Sequence, residues 1–112
     1  MKEELFILWT NDNPVTSEKM VCMYAHNSVL KHWWDDVTVI IWGATAQYVA
    51  SDADIQKRLS QMIKDGVKVS ACKACADQLG VGSDLENLGI ELKYWGIPLT
   101  GILKNNQKLI TI

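Results

Sequence analysis

The sequence has a single arginine, Arg58, and only two prolines and one phenylalanine among its 112 residues. Its other basic residues are lysines scattered from Lys2 to Lys108, and the formal net charge is -2. A phosphate-backbone binder needs a clustered basic face, which is missing here, so nucleic acid is not an expected partner. No apolar run approaches the roughly 20 residues of a membrane span. The strongest, Val37 to Trp42, has the length of a strand. A secretory signal needs a basic start followed by about 7–15 apolar residues. Met1-Lys2-Glu3-Glu4 leads only into the short run Leu5 to Trp9. The expected location is therefore the cytoplasm, where the three cysteines stay reduced thiols and no disulfide is expected.

Neither linker, repeat nor low-complexity stretch interrupts the chain. Its composition, 48% hydrophobic and 21% charged, is that of a globular protein, and its length suits one domain spanning residues 1–112.

Strand-like and helix-like segments alternate from end to end. The strand-like runs are Leu5–Trp9, Val37–Trp42, Val67–Ala71, Ile90–Tyr94 and Lys108–Ile112. They are continuously apolar instead of alternating, the pattern of parallel strands covered on both faces. In the first intervening segment Pro14 stands near the start, and Met20, Met23, Leu30 and Trp34 recur at spacings that predict one buried helical face. In the second, Ser51 or Asp52 caps a helix whose stripe is Ile55, Leu59, Met62 and Ile63 and which Gly66 stops. A third helix runs from Cys72 to about Gly80. Ser83-x-x-Glu86 reads as a capping box on a short helix closed by Gly89, and Pro98 opens a last one through Leu103. The order β-α-β-α-β-α-β-α-β predicts right-handed crossovers and a three-layer α/β/α sandwich on a five-stranded parallel sheet.

Open parallel sheets gather their chemistry at the carboxyl ends of the strands. Three such ends hold reactive or polar residues: Trp9-Thr10-Asn11-Asp12, Trp42-Gly43-Ala44-Thr45, and Ser70-Ala71-Cys72-Lys73-Ala74-Cys75. Topology alone makes Thr10, Asn11, Gly43 and Thr45 pocket-lining candidates. Cys72 falls at a strand-to-helix junction, where free N–H groups favour a thiolate and Lys73 adds positive charge. A thiol with a pKa of about 8.5 is only ~3% ionised at pH 7, whereas one at about 6.5 is ~75% ionised. The sequence therefore predicts Cys72 as the most reactive of the three thiols, with Cys75 the second choice.

Other readings of the same residues stay open. Cys72 and Cys75 are equally suited to packing as small buried apolar residues. Cys72-x-x-Cys75, following a strand and opening a helix, also fits a dithiol redox motif. Zinc needs four ligands, and Cys22, His26 and His32 supply no second close pair, so no metal is expected. His26 and His32 are read as six residues apart on one helix, which does not place them on one face. Gly80-x-Gly82 follows a helix instead of a strand, so no dinucleotide cofactor is expected. Trp33-Trp34 in tandem cannot both enter one core, which leaves one ring for a partner subunit.

The segment Ala71-Cys72-Lys73-Ala74-Cys75-Ala76-Asp77-Gln78-Leu79-Gly80-Val81 resembles the cysteine-opened helix of the DsrE/DsrF-like family, TusD-like proteins included. So do Ile41-Trp42-Gly43-Ala44, Leu88-Gly89-Ile90-Glu91-Leu92 and Gly96-Ile97-Pro98-Leu99-Thr100, in the same order. The resemblance implies the five-stranded fold already inferred, assembly into trimers or hexamers, and a sulfur relay. In that relay Cys72 accepts persulfide sulfur from a donor protein and passes it to an acceptor. The chain departs from the pattern at Cys75, where the family carries a small residue, and at Asp77-Gln78-Leu79. The expected function is thus a sulfur carrier or sulfurtransferase-type subunit. The alternatives are a non-catalytic subunit binding a small ligand or a partner, and a dithiol redox protein.

Overall fold

The computed structural model describes residues 2–112. Five strands form one all-parallel sheet: β1 (Glu4–Trp9), β2 (Asp36–Ile41), β3 (Lys68–Cys72), β4 (Glu91–Lys93) and β5 (Lys108–Thr111), in spatial order β4-β3-β2-β1-β5. Seven α-helical segments alternate with them: α1 (Pro14–Thr16), α2 (Met23–Leu30), α3 (Ala44–Ser51), α4 (Ala53–Lys64), α5 (Lys73–Leu79), α6 (Gly82–Asn87) and α7 (Gly96–Lys104). Strands β1 to β4 step toward one edge, so right-handed crossovers lay α1 to α6 on one face of the sheet. The last connection returns across the sheet to place β5 beside β1, and α7 alone covers the other face.

The two faces divide the core accordingly. Leu5, Ile7, Trp9, Val37, Val39, Ile41, Val69 and Ala71 point toward the six helices and form the larger cluster with Val21, Ala25, Val49, Ile55, Leu59, Met62 and Leu85. Phe6 and Ile40 point the other way and meet Trp95 and Ile102 in a smaller cluster. Each fully buried Leu, Ile or Val contributes about 1.5–3 kcal/mol relative to exposure, so the six-helix face carries most of the stability. The α/β class, the parallel sheet and the helices on both faces are as the sequence predicts.

Several local expectations are corrected. The first helix is not uniformly α: Ser17–Cys22 is a π-helical segment joining α1 to α2. The extra residue per turn rotates the apolar face. Val21, Cys22 and Ala25 are buried, while Met20, Met23 and Leu30, predicted to be inside, are exposed. His32 does not share a helix with His26. It lies beyond α2 with φ of 56°. The sequence also gave no warning of α3, which fills Ala44–Ser51 immediately before the Asp52 cap of α4. Ser83 does not cap α6, whose N-cap is Val81 with no side-chain hydrogen bond. Pro98 is the third residue of α7, not its opener. It is tolerated because first-turn N–H groups have no intrahelical acceptor.

Candidate functional site

The carboxyl ends of β2 and β3 lie side by side, and each turns directly into a helix. β2 gives way at Trp42 to Gly43, which caps α3 with φ of 65° and ψ of -134°. That conformation is open to glycine and strained for any residue with a side chain. β3 ends at Cys72, which is also the N-cap of α5. The helix stops at Gly80, whose left-handed φ of 71° lets the Val81 N–H donate to the Ala76 carbonyl at 3.0 Å.

Cys72 is 4% exposed. Its Sγ accepts a hydrogen bond from the Cys75 backbone N–H at 3.5 Å. Burial pushes its thiol up from the ordinary value, and the neighbouring Cys75 side chain acts in the same direction. The N–H groups of Cys75 and Ala74 oppose them. The expected depression of Cys72 is therefore reversed. α5 has only seven residues, and its terminal N–H groups do not offset the loss of water around the sulfur.

Lys73 does not assist either. Its Nζ lies 3.0 Å from Asp77 Oδ2, one turn along the same helix, and 5.7 Å from the centre of the Tyr94 ring. The Asp77 carboxylate holds the ammonium above its usual range.

Cys75, half-buried, opens on a cavity of about 340 Å³ that it lines with Gly43, Ala44, Gln47, Gln78 and Leu79. Here α3 and α5 face each other, and Gly43 and Ala44 at the α3 N-terminus are part of the cavity lining. Larger hollows of about 580 and 610 Å³ lie beside Tyr48 and Arg58, and beside Ser70 and Trp95, and are lined by no cysteine. The smaller cavity matters more because it holds a nucleophile.

The remaining strand-end residues are only partly gathered there. Gly43 shares the cavity with Cys75. Thr45 is buried and donates to the Asn11 carbonyl at 3.1 Å, so these two residues tie the β1 and β2 ends together. Asn11 Oδ1 accepts from the Asn13 N–H at 2.7 Å, which shapes the turn into α1. Thr10 donates to the Ile112 carbonyl at 3.0 Å and so belongs to the β5 side. Gln47 carried no sequence signal, and Gln78 and Leu79 stood out only as a departure from the family pattern. They enter the cavity because α3, absent from the sequence reading, packs against α5.

Among the described residues no group of three or more His, Cys, Asp or Glu side chains is placed to hold a metal ion, and no helix is long and apolar enough to cross a membrane. Cys22 is fully buried, and desolvation pushes its thiol up to about 12.

Comparison with known proteins covers the whole architecture. The profile of the DsrE/DsrF-like family matches residues 6–111. A conserved protein of unknown function from Bacteroides thetaiotaomicron is 43% identical with a TM-score of 0.96, over 98% of this chain and 95% of that one. Two more distant structures share the fold. A protein of unknown function from Methanobacterium thermoautotrophicum has a TM-score of 0.70 at 18% identity, and the ychN protein from E. coli 0.71 at 16%. Each is matched over 100% of both chains. No curated protein matches the chain.

Proposed function

Because the chain belongs to the DsrE/DsrF-like family, we propose that it is a sulfur carrier in which Cys72 holds sulfane sulfur as a persulfide. The observation that carries this reading is the place of Cys72, at the carboxyl end of β3, with its Sγ accepting the Cys75 N–H. A persulfide is a stronger acid than its parent thiol, so the backbone donors that fail to ionise the thiol have an easier task with the loaded form. The added sulfur stands about 2 Å beyond Sγ. A sulfur donor protein and an acceptor protein are the partners this role requires.

The test is direct. The reduced protein is incubated with glutathione persulfide and its intact mass is measured. The expected gain is one sulfur atom per chain, kept in Cys22→Ser and lost from position 72 in Cys72→Ser. A wild-type protein whose mass does not change overturns the proposal and leaves a binding subunit as the better reading.

Self-association is part of the same proposal, as a homotrimer or homohexamer. In its support, the thinly covered sheet face carries exposed Ile97 and Leu103 on α7, with Tyr94 just before it. Apolar exposure of this kind marks interfaces.

A further inference from the structure

We propose that Cys75 is the receiving thiol of this carrier, taking sulfur from the donor in the cavity between α3 and α5 and handing it inward to Cys72. The proposal rests on the sulfur-carrier reading and adds the route by which sulfur reaches a buried residue.

The two cysteines divide the requirements of a carrier between them. Cys72 is sheltered, 4% exposed, and so presents little surface to a donor cysteine. Cys75 opens on the one cavity described above that a cysteine lines. About 340 Å³ accommodates the tip of a persulfide-bearing side chain but not a folded partner, so a donor inserts a cysteine or a short loop. The Gln47 and Gln78 side-chain amides in its wall offer N–H donors to the thiolate that leaves. The cysteines stand three positions apart, about one helical turn, and the Cys75 N–H already donates to Cys72 Sγ.

Two displacements complete the transfer. In the first, the Cys75 thiolate attacks the outer sulfur of a donor persulfide R–S–SH. A new S–S bond forms on Cys75, the donor S–S bond breaks, and R–S⁻ leaves with the proton that Cys75 gave up. In the second, the Cys72 thiol loses its proton to Cys75 as its sulfur attacks the outer sulfur of the Cys75 persulfide. Cys72 becomes the persulfide and Cys75 returns to a thiol. Sulfane sulfur moves twice, and no external oxidant or reductant enters.

Sheltered storage explains why the final holder is the buried thiol. Persulfide on Cys75 faces solvent and any small nucleophile, whereas on Cys72 it is covered until an acceptor arrives.

The test uses glutathione persulfide, rapid alkylation and peptide mapping on the wild type, Cys75→Ser, Cys75→Ala and Cys72→Ser, each checked for native circular dichroism. The expected result is sulfur on Cys72 in the wild type and loading slowed by about tenfold or more in both Cys75 variants. In Cys72→Ser sulfur should remain on Cys75 and be stripped by cyanide about tenfold faster than from the wild type. Cys75 variants that load Cys72 at the wild-type rate overturn the inference and leave the carrier reading intact. So does a Cys72→Ser protein that takes up no sulfur while the wild type does. Release of sulfide with a Cys72–Cys75 disulfide also overturns it, in favour of dithiol chemistry. A wild type that never loads removes both the carrier reading and the inference.

Discussion

His26 is clasped between Arg58 and Asp65. Its Nδ1 faces a guanidinium nitrogen of Arg58, and its Nε2 lies 2.7 Å from Asp65 Oδ2. Arginine offers only donors, so Nδ1 accepts, and Nε2 carries the hydrogen given to Asp65. Arg58 Nε also reaches Glu18 Oε1 at 3.0 Å, so the chain's single arginine joins the π-helical segment, α2 and α4.

Removing that arginine strips two partners at once. Arg58→Met is expected to lower stability by about 1–3 kcal/mol, read as a lower urea midpoint. Most of the loss comes from the partly buried His26 nitrogen left without a donor. An unchanged midpoint would show the network to be solvated and idle.

Trp95 Nε1 donates to Ser70 Oγ at 2.8 Å, and both residues are buried. Ser70→Ala leaves an indole N–H without an acceptor and should cost about 1–3 kcal/mol. Adding Trp95→Phe removes the orphaned donor. The double variant should therefore lose less than the two single losses added together, measured as a double-mutant cycle in urea. Strict additivity would contradict the pairing.

Native alkylation by iodoacetamide should label Cys75 first and Cys72 and Cys22 far more slowly, because Cys75 is half-buried at a cavity while the other two are buried. The pH midpoint for Cys72 should lie above that of a free thiol, following its raised pKa. Peptide mapping after short exposures distinguishes the three. Cys72 labelled fastest, with a depressed midpoint, would restore the expectation drawn from the sequence.

Cys22 makes folding sensitive to alkali. Its thiol is held protonated to about 12 in the folded chain, while an unfolded thiol ionises near about 8.5. Between those limits the native state binds the extra proton, so stability is complete below the lower limit and falls as pH rises. The loss is on the order of 4 kcal/mol by the upper limit. Thermal melts from neutral to strongly alkaline pH should fall less steeply for Cys22→Ala than for the wild type. Parallel curves would remove Cys22 as the cause.

For self-association, Ile97 is the position to change, since it is 88% exposed on α7. Sedimentation of the wild type should give a trimer or hexamer, and Ile97→Glu should shift it toward smaller species with the fold kept. A wild-type mass of 12.6 kDa at micromolar concentration would exclude assembly.

The sheet was legible because parallel strands covered on both faces must be apolar throughout, and Leu5–Trp9 and Val37–Ile41 announce that directly. α4 was legible from its Asp52 cap and the spacing of Ile55, Leu59 and Met62. The π-helical segment was not, because its periodicity departs from 3.6 and so turns Met20 and Met23 outward. α3 escaped because Ala44–Ser51 carries no strong apolar stripe and follows a glycine that reads as a loop. Position identified Cys72 as a strand-end residue, but its burial depends on neighbours from other segments that no local pattern contains.

The return of β5 to the side of β1 joins Thr10 to Ile112, 102 residues apart. On the ribosome, β1 is therefore made long before its outer partner exists. At about 5–20 residues per second, that edge waits on the order of 5–20 s with its N–H and C=O groups open to any other strand. Unpaired strand edges invite chaperone capture and mispairing, and here the interval is set by chain order alone. The hazard at the β1 edge is greatest while the protein is being synthesised, and β5 ends it by covering β1 and leaving the four-residue strand Lys108–Thr111 as the outer edge.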